Sequence, residues 1–239
     1  MRLANSQPAT EMHRDRLMSA LTTGKVPQKI LRYARRANVP PPVRPNAVFL
    51  NIPYDERFRR LYLAYIVGLT QLGLEPRVTL GIPGGERRLD RILALIHSCR
   101  YSIHDLSRVQ LDRNPPRTPR FNMPFELGLS VAWAKLNPRQ HTWFVFETKA
   151  RRVQKSLSDL DGSDPNIHDG TVEGVMREIC NAFVRSRAAR PAVPEMMRTY
   201  RGLSHKLGAI TAAAGARSVF EARIFDDLSF AAKAAITHA

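Results

Sequence analysis

Glu126 stands in the run Arg120-Phe-Asn-Met-Pro-Phe-Glu-Leu-Gly-Leu129, a carboxylate set at the entry to an apolar helix. Pro124 is favoured at a first helical position, where its missing N–H needs no partner, and this predicts Glu126 inside the first turn. Leu127, Leu129, Val131, Ala132 and Trp133 give the rest of that helix a buried character. A carboxylate entering a buried helix is exposed at a cleft, paired, or used for chemistry. First-turn acids also complement the helix dipole and close capping boxes, so this segment alone supports both a capping role and a site role.

Other short polar runs carry residues of matching chemistry. They are Asn51-Ile-Pro-Tyr-Asp55, Gly81-Ile-Pro-Gly-Gly-Glu86 and His104-Asp-Leu-Ser107, with Asn122 just ahead of Glu126. Carboxylates and amides bind sugar hydroxyls, a tyrosine stacks on a base, and a glycine turn followed by arginine can hold a phosphate. On that reading Glu126 and Asp105 are the candidate catalytic pair, and Tyr54, Asp55, Gly84, Gly85, Ser107 and Asn122 the candidate substrate-binding set, with Arg87 or Arg88 near the glycine turn. Each residue also has a structural role open to it. Asp55 suits the N-cap of the helix that follows, and Asn122 that of the Glu126 helix. Gly84-Gly85 can be a plain turn, Asp105 can orient the next loop through backbone N–H groups, and Ser107 can cap that loop. His104, one residue before Asp105, points to the opposite face of its strand and is expected to be structural.

The elements that must position these residues alternate. Short apolar segments at 47–51, 77–80, 101–106 and 142–147 read as strands. Between and after them, 56–72, 87–98, 125–136 and 172–184 read as helices, with loops at 107–120 and 161–170. Strands alternating with helices predict an α/β domain over 47–187, a flavodoxin-like doubly wound parallel sheet. The loops after its strands converge at one edge, which is where the polar runs fall. No GxGxxG follows the first strand and no P-loop sequence is present, so the usual dinucleotide and P-loop readings lack their residues. Residues 1–38 read as a basic helical arm, 39–46 as a proline-rich linker, and 191–239 as a helical C-terminal appendage for packing or oligomerisation.

The formal net charge is +16, and seven of those charges lie in residues 1–46. Such a field favours polyanions, so the arm offers a docking surface for nucleic acid or a nucleoprotein, although aromatics are not interleaved with the basic residues as a single-strand groove requires. No apolar run is long enough to span a membrane and the N-terminus lacks a secretory apolar core, so a cytoplasmic protein is expected. The two cysteines, Cys99 and Cys180, have no second cysteine at metal-ligand spacing, and no metal site is expected.

The N-x-P-Y-D run at 51–55, the D-x-S at 105–107 and Phe125-Glu126-Leu127-Gly128 together resemble the nucleoside 2-deoxyribosyltransferase superfamily and the related TIR-like NAD-cleaving domains. The resemblance covers roughly 47–147. It implies a flavodoxin-like fold and catalysis at Glu126, with a ligand-contacting tyrosine at Tyr54 and an acidic strand end at Asp105. Arg120 stands where the transferase pattern carries an aspartate, and Asn122-Met123 where it carries Gly-Thr. The implied activity is cleavage of the N-glycosidic bond of a nucleoside, nucleotide or NAD, with NAD a substrate and no cofactor required. The alternatives are a non-catalytic nucleotide-sensing module and a nucleic-acid-associated protein acting through its arm. Similar domains occur in bacterial anti-phage effectors, which implies a role in antiviral defence and assembly into a homo-oligomer or larger complex.

Overall fold

A computed structural model describes residues 42–81, 87–110, 117–160, 162, 164–183 and 191–237. The basic arm, the start of the linker and Gly84-Gly85 lie outside the described residues.

Five strands form one sheet: β1 (Arg44–Asn51), β2 (Glu75–Arg77), β3 (Cys99–Asp105), β4 (Thr142–Glu147) and β5 (Asn166–Ile167). Their order is β2-β1-β3-β4-β5 and every pairing is parallel. The helices between them are α1 (Arg59–Gln71), α2 (Arg88–Ser98), α3 (Asn122–Leu136) and the short α4 (Arg152–Ser156), and α5 (Val172–Ala182) follows β5. Two more follow, α6 (Val193–Ala213) and α7 (Ala222–Thr237). This is the flavodoxin-like doubly wound arrangement, in which chain direction across the sheet reverses between β1 and β3.

Strand periodicity divides the residues between two covered faces. Val48, Leu50 and Ile103 pack with α1 and α5, while Ala47 and Phe49 pack with Ile92, Leu95 and Ile96 of α2. Parallel sheets are buried on both sides, which is why Ala47–Leu50 of β1 reads as a continuous apolar run. The β1–β3 register shifts between Arg44 and Val48, around Pro45, which has no N–H to give to a ladder.

The expected one-sided stripe on α1 is instead burial all round, from Leu61 to Thr70. The cause is the C-terminal segment. Met196, Tyr200 and Leu203 of α6, and Ile224, Phe225, Leu228 and Ala232 of α7, join the same core as α1. Residues 191–237 therefore form a further layer over α1, where the sequence suggested an appendage. On its other side Gly68 permits close approach of α5 to α1, since a Cβ on it would lie 2.9 Å from Ile179 Cδ1 of α5. Within the loop expected at 161–170, Asn166–Ile167 adds a two-residue edge strand beside β4. Next to it, Thr171 caps α5 by accepting a hydrogen bond from Gly174 N–H at 2.9 Å. No helix among the described residues is long and apolar enough to cross a membrane.

Candidate functional site

At the β1/β3 switch point lies a cavity of about 340 Å³. The end of β1 and the loop after it contribute Asn51 and Tyr54, the β2–α2 connection Thr79, the first residue of α2 Arg88, and the segment opening α3 Arg120, Asn122 and Glu126. Open α/β sheets bind ligands at this position, outside the carboxyl ends of the strands.

Glu126 is the fifth residue of α3, not a first-turn residue. The helix begins at Asn122, so Pro124 is its third residue. Pro124 sacrifices no bond there, because the first intrahelical hydrogen bond runs from Phe125 N–H to Phe121 O at 3.0 Å. The later position removes Glu126 from capping-box geometry, which requires the third helical residue. It also turns the side chain toward the sheet edge, where Glu126 is 3% exposed. Among the described residues none donates a hydrogen bond to its carboxylate, and burial raises its pKa to about 7 against a smaller opposing pull from Arg88.

Tyr54 reaches the cavity from the β1–α1 loop. Its hydroxyl donates to Leu50 O at 3.3 Å, and its ring meets Tyr62 and Phe220 edge-on, each at 6.2 Å between centroids. Burial raises its pKa, so the hydroxyl stays protonated. Asn122 is exposed at the first position of α3 and lines the cavity without capping the helix.

Asp55 is not the cap of α1, whose N-cap residue is Phe58. Its Oδ2 instead accepts from Arg120 Nη1 at 2.9 Å and sits 3.0 Å from Arg108 Nε. Arg120 thus joins the β1–α1 loop to the segment leading into α3 and brings positive charge to the cavity wall.

Asp105 and Ser107 lie off the cavity. Asp105 shares its sheet face with Ile103, so its side chain enters the α1 side, opposite α3. There it is wholly buried, accepting from Tyr65 Oη at 2.8 Å and from Ser107 N–H at 2.9 Å, with His168 Nε2 at 3.2 Å. Facing away from the cavity, Asp105 orients the following loop through Ser107 N–H. Ser107 is buried, and no hydrogen-bond partner of its Oγ is found among the described residues. Gly84 and Gly85 lie outside the described residues; of the adjoining arginines, Arg88 lines the cavity.

The residue on the cavity side of the sheet is Asn51, to which sequence reasoning gave no role. Its side chain is 4% exposed, and its amide nitrogen donates to Met123 O in the first turn of α3 and to His104 Nδ1, both at 3.0 Å. Its signal in the sequence was faint: a lone polar residue closing an apolar strand. His104 does face away from Asp105, but its face is that of α3, and it supports Asn51.

No family model, curated protein or solved structure matches the chain. Among the described residues no group of three or more His, Cys, Asp or Glu is arranged to hold a metal ion.

Proposed function

We propose that the chain cleaves the N-glycosidic bond of a nucleoside, nucleotide or NAD at this cavity. The observation that carries the reading is Glu126, a buried carboxylate with no hydrogen-bond donor among the described residues, opening on the switch-point cavity beside Tyr54. As the base departs with the C1′–N electron pair, positive charge builds on the sugar. An ionised Glu126 beneath C1′ stabilises that charge, or attacks C1′ to give a glycosyl ester that water then hydrolyses. Preorganised charge in such a site is worth on the order of several kcal/mol in the transition state. Arg88 assists by favouring the ionised carboxylate. Tyr54 supplies an aromatic wall for base or sugar, Asn122 an amide for hydroxyls, and Arg88 and Arg120 the charge for a phosphate.

The test is incubation of the full chain with NAD and with nucleosides and nucleotides, followed by chromatography for free base. Wild type releases base and Glu126→Gln does not. Equal release by both proteins refutes the role of Glu126. Binding without release by wild type leaves the non-catalytic nucleotide-sensing module in its place.

A further inference from the structure

A single line of hydrogen bonds crosses the α2/α3 face of the sheet and ends at the cavity. Asn51 Nδ2 lies 3.0 Å from Met123 O and from His104 Nδ1. His104 Nε2 lies 3.0 Å from Ser102 Oγ, which lies 3.0 Å from His141 Nε2. His141 Nδ1 lies 2.9 Å from Cys99 O. All four side chains are buried.

Its two ends fix the direction of every bond. Backbone carbonyls only accept. Cys99 O must therefore receive the proton of His141 Nδ1, which leaves His141 Nε2 as an acceptor for the Ser102 hydroxyl. Ser102 Oγ then accepts from His104 Nε2–H, and His104 Nδ1 is an acceptor. At the other end, Met123 O forbids an oxygen beside it, so the amide group of Asn51 cannot be reversed. The scheme needs both imidazoles neutral, and burial lowers both pKa values, His104 to about 3. The register of the sheet makes this possible by pairing Asn51 directly with His104 on adjacent strands.

The consequence lies at the cavity wall. Both amide hydrogens of Asn51 are spent on buried acceptors, so the polar atom it can still offer a ligand is Oδ1. Glu126, when ionised, also only accepts. We propose that Asn51 Oδ1 reads a ligand hydroxyl, that the cavity therefore selects a sugar carrying free 2′- or 3′-hydroxyl donors, and that His104 is the positioning residue that holds Asn51 in this orientation. The inference rests on the cavity being the ligand site of the proposed reaction. It adds to that reading the group on the ligand that is recognised.

The probes are the four ribonucleoside 5′-monophosphates and NAD, each beside its 2′,3′-dideoxy form. They are titrated calorimetrically into the full chain carrying Glu126→Gln, which separates binding from cleavage. At least one ribo form binds about tenfold or more tightly than its dideoxy counterpart, the size expected of one buried hydrogen bond. Adding Asn51→Ala lowers that ratio by about tenfold, and adding His104→Phe lowers it in the same direction although residue 104 does not reach the ligand. Equal affinity of ribo and dideoxy forms, no binding by any probe, or a ratio unmoved by Asn51→Ala overturns the proposal. A measurement on the unsubstituted chain needs no variant to fold. Nitrogen NMR should find opposite tautomers, Nε2–H at His104 and Nδ1–H at His141, and any other pair overturns the positioning scheme. Loss of base release with discrimination intact removes the cleavage reaction and keeps the hydroxyl-reading site. Base release without discrimination does the reverse.

Discussion

Replacing Glu126 by glutamine should make the protein more stable, and only in a defined pH range. The buried carboxyl has its pKa raised from an ordinary 4.5 to about 7. Between those values the folded protein holds a proton that the unfolded chain has lost. Stability therefore falls as pH rises through this window, and the cost is complete above it. A carboxyl held at about 7 instead of 4.5 costs the ionised form roughly 3 kcal/mol, at about 1.4 kcal/mol per tenfold change in acidity. Glutamine keeps the shape and removes the charge, so wild type and variant should match near about pH 4 and diverge by up to roughly 3 kcal/mol near about pH 8.5. For a chain of this length that is a rise in Tm of about 6–12 °C for the variant at the higher pH. Differential scanning calorimetry of both proteins across the range is the assay. Parallel Tm curves from acid to alkaline pH would refute the reasoning, because they would mean that Glu126 is solvated or paired in the native state. A carboxylate that weakens its own fold is the pattern expected where a site trades stability for activity.

The same titration predicts the rate profile. If ionised Glu126 supports the departing sugar, base release rises with pH through about 7 and then levels, measured by chromatography of initial rates. Asp105→Ala strands the Tyr65 hydroxyl and the Ser107 N–H, and should cost about 3 kcal/mol in denaturant unfolding while leaving probe affinity at the cavity unchanged. A loss of affinity with normal stability would return Asp105 to the site. Gly174→Ala places a Cβ 2.1 Å from His168 O, so the β5–α5 turn must shift and stability should fall by about 1–3 kcal/mol; an unchanged Tm would contradict that packing. Arg152→Ala leaves the buried Glu147 without its ion-pair partner and should destabilise by about 3 kcal/mol, with much of that recovered when Glu147→Gln is added.

Much of the architecture was legible in the order of the residues. Apolar segments ending in Asn51, Asp105 and Glu147 alternate with helical periods, and that alternation already implies a parallel sheet whose loops meet at one edge. The convergence of Tyr54, Asn122 and Glu126 follows from it, because loop position alone decides which elements share an edge. The proline before Glu126 placed a helix start within a few residues, but the true first residue depended on the turn at Phe121.

What the sequence by itself determined is that neighbours on a strand alternate; what only the tertiary structure decided is which of them meets the cavity. His104 and Asp105 had to face opposite ways. With helices covering both faces of the sheet, however, the alternation of Ser102 and His104 with Tyr101 and Ile103 does not say on which side α3 lies. The β1–β3 register settled it by pairing Asn51 with His104, which sends Asp105 toward Tyr65 and His168 and leaves Asn51 beside Glu126. The burial of α1 on every side, and the elevated pKa of Glu126, likewise come from chain far away in sequence. Periodicity is a property of a few consecutive residues, whereas desolvation depends on everything that packs around them.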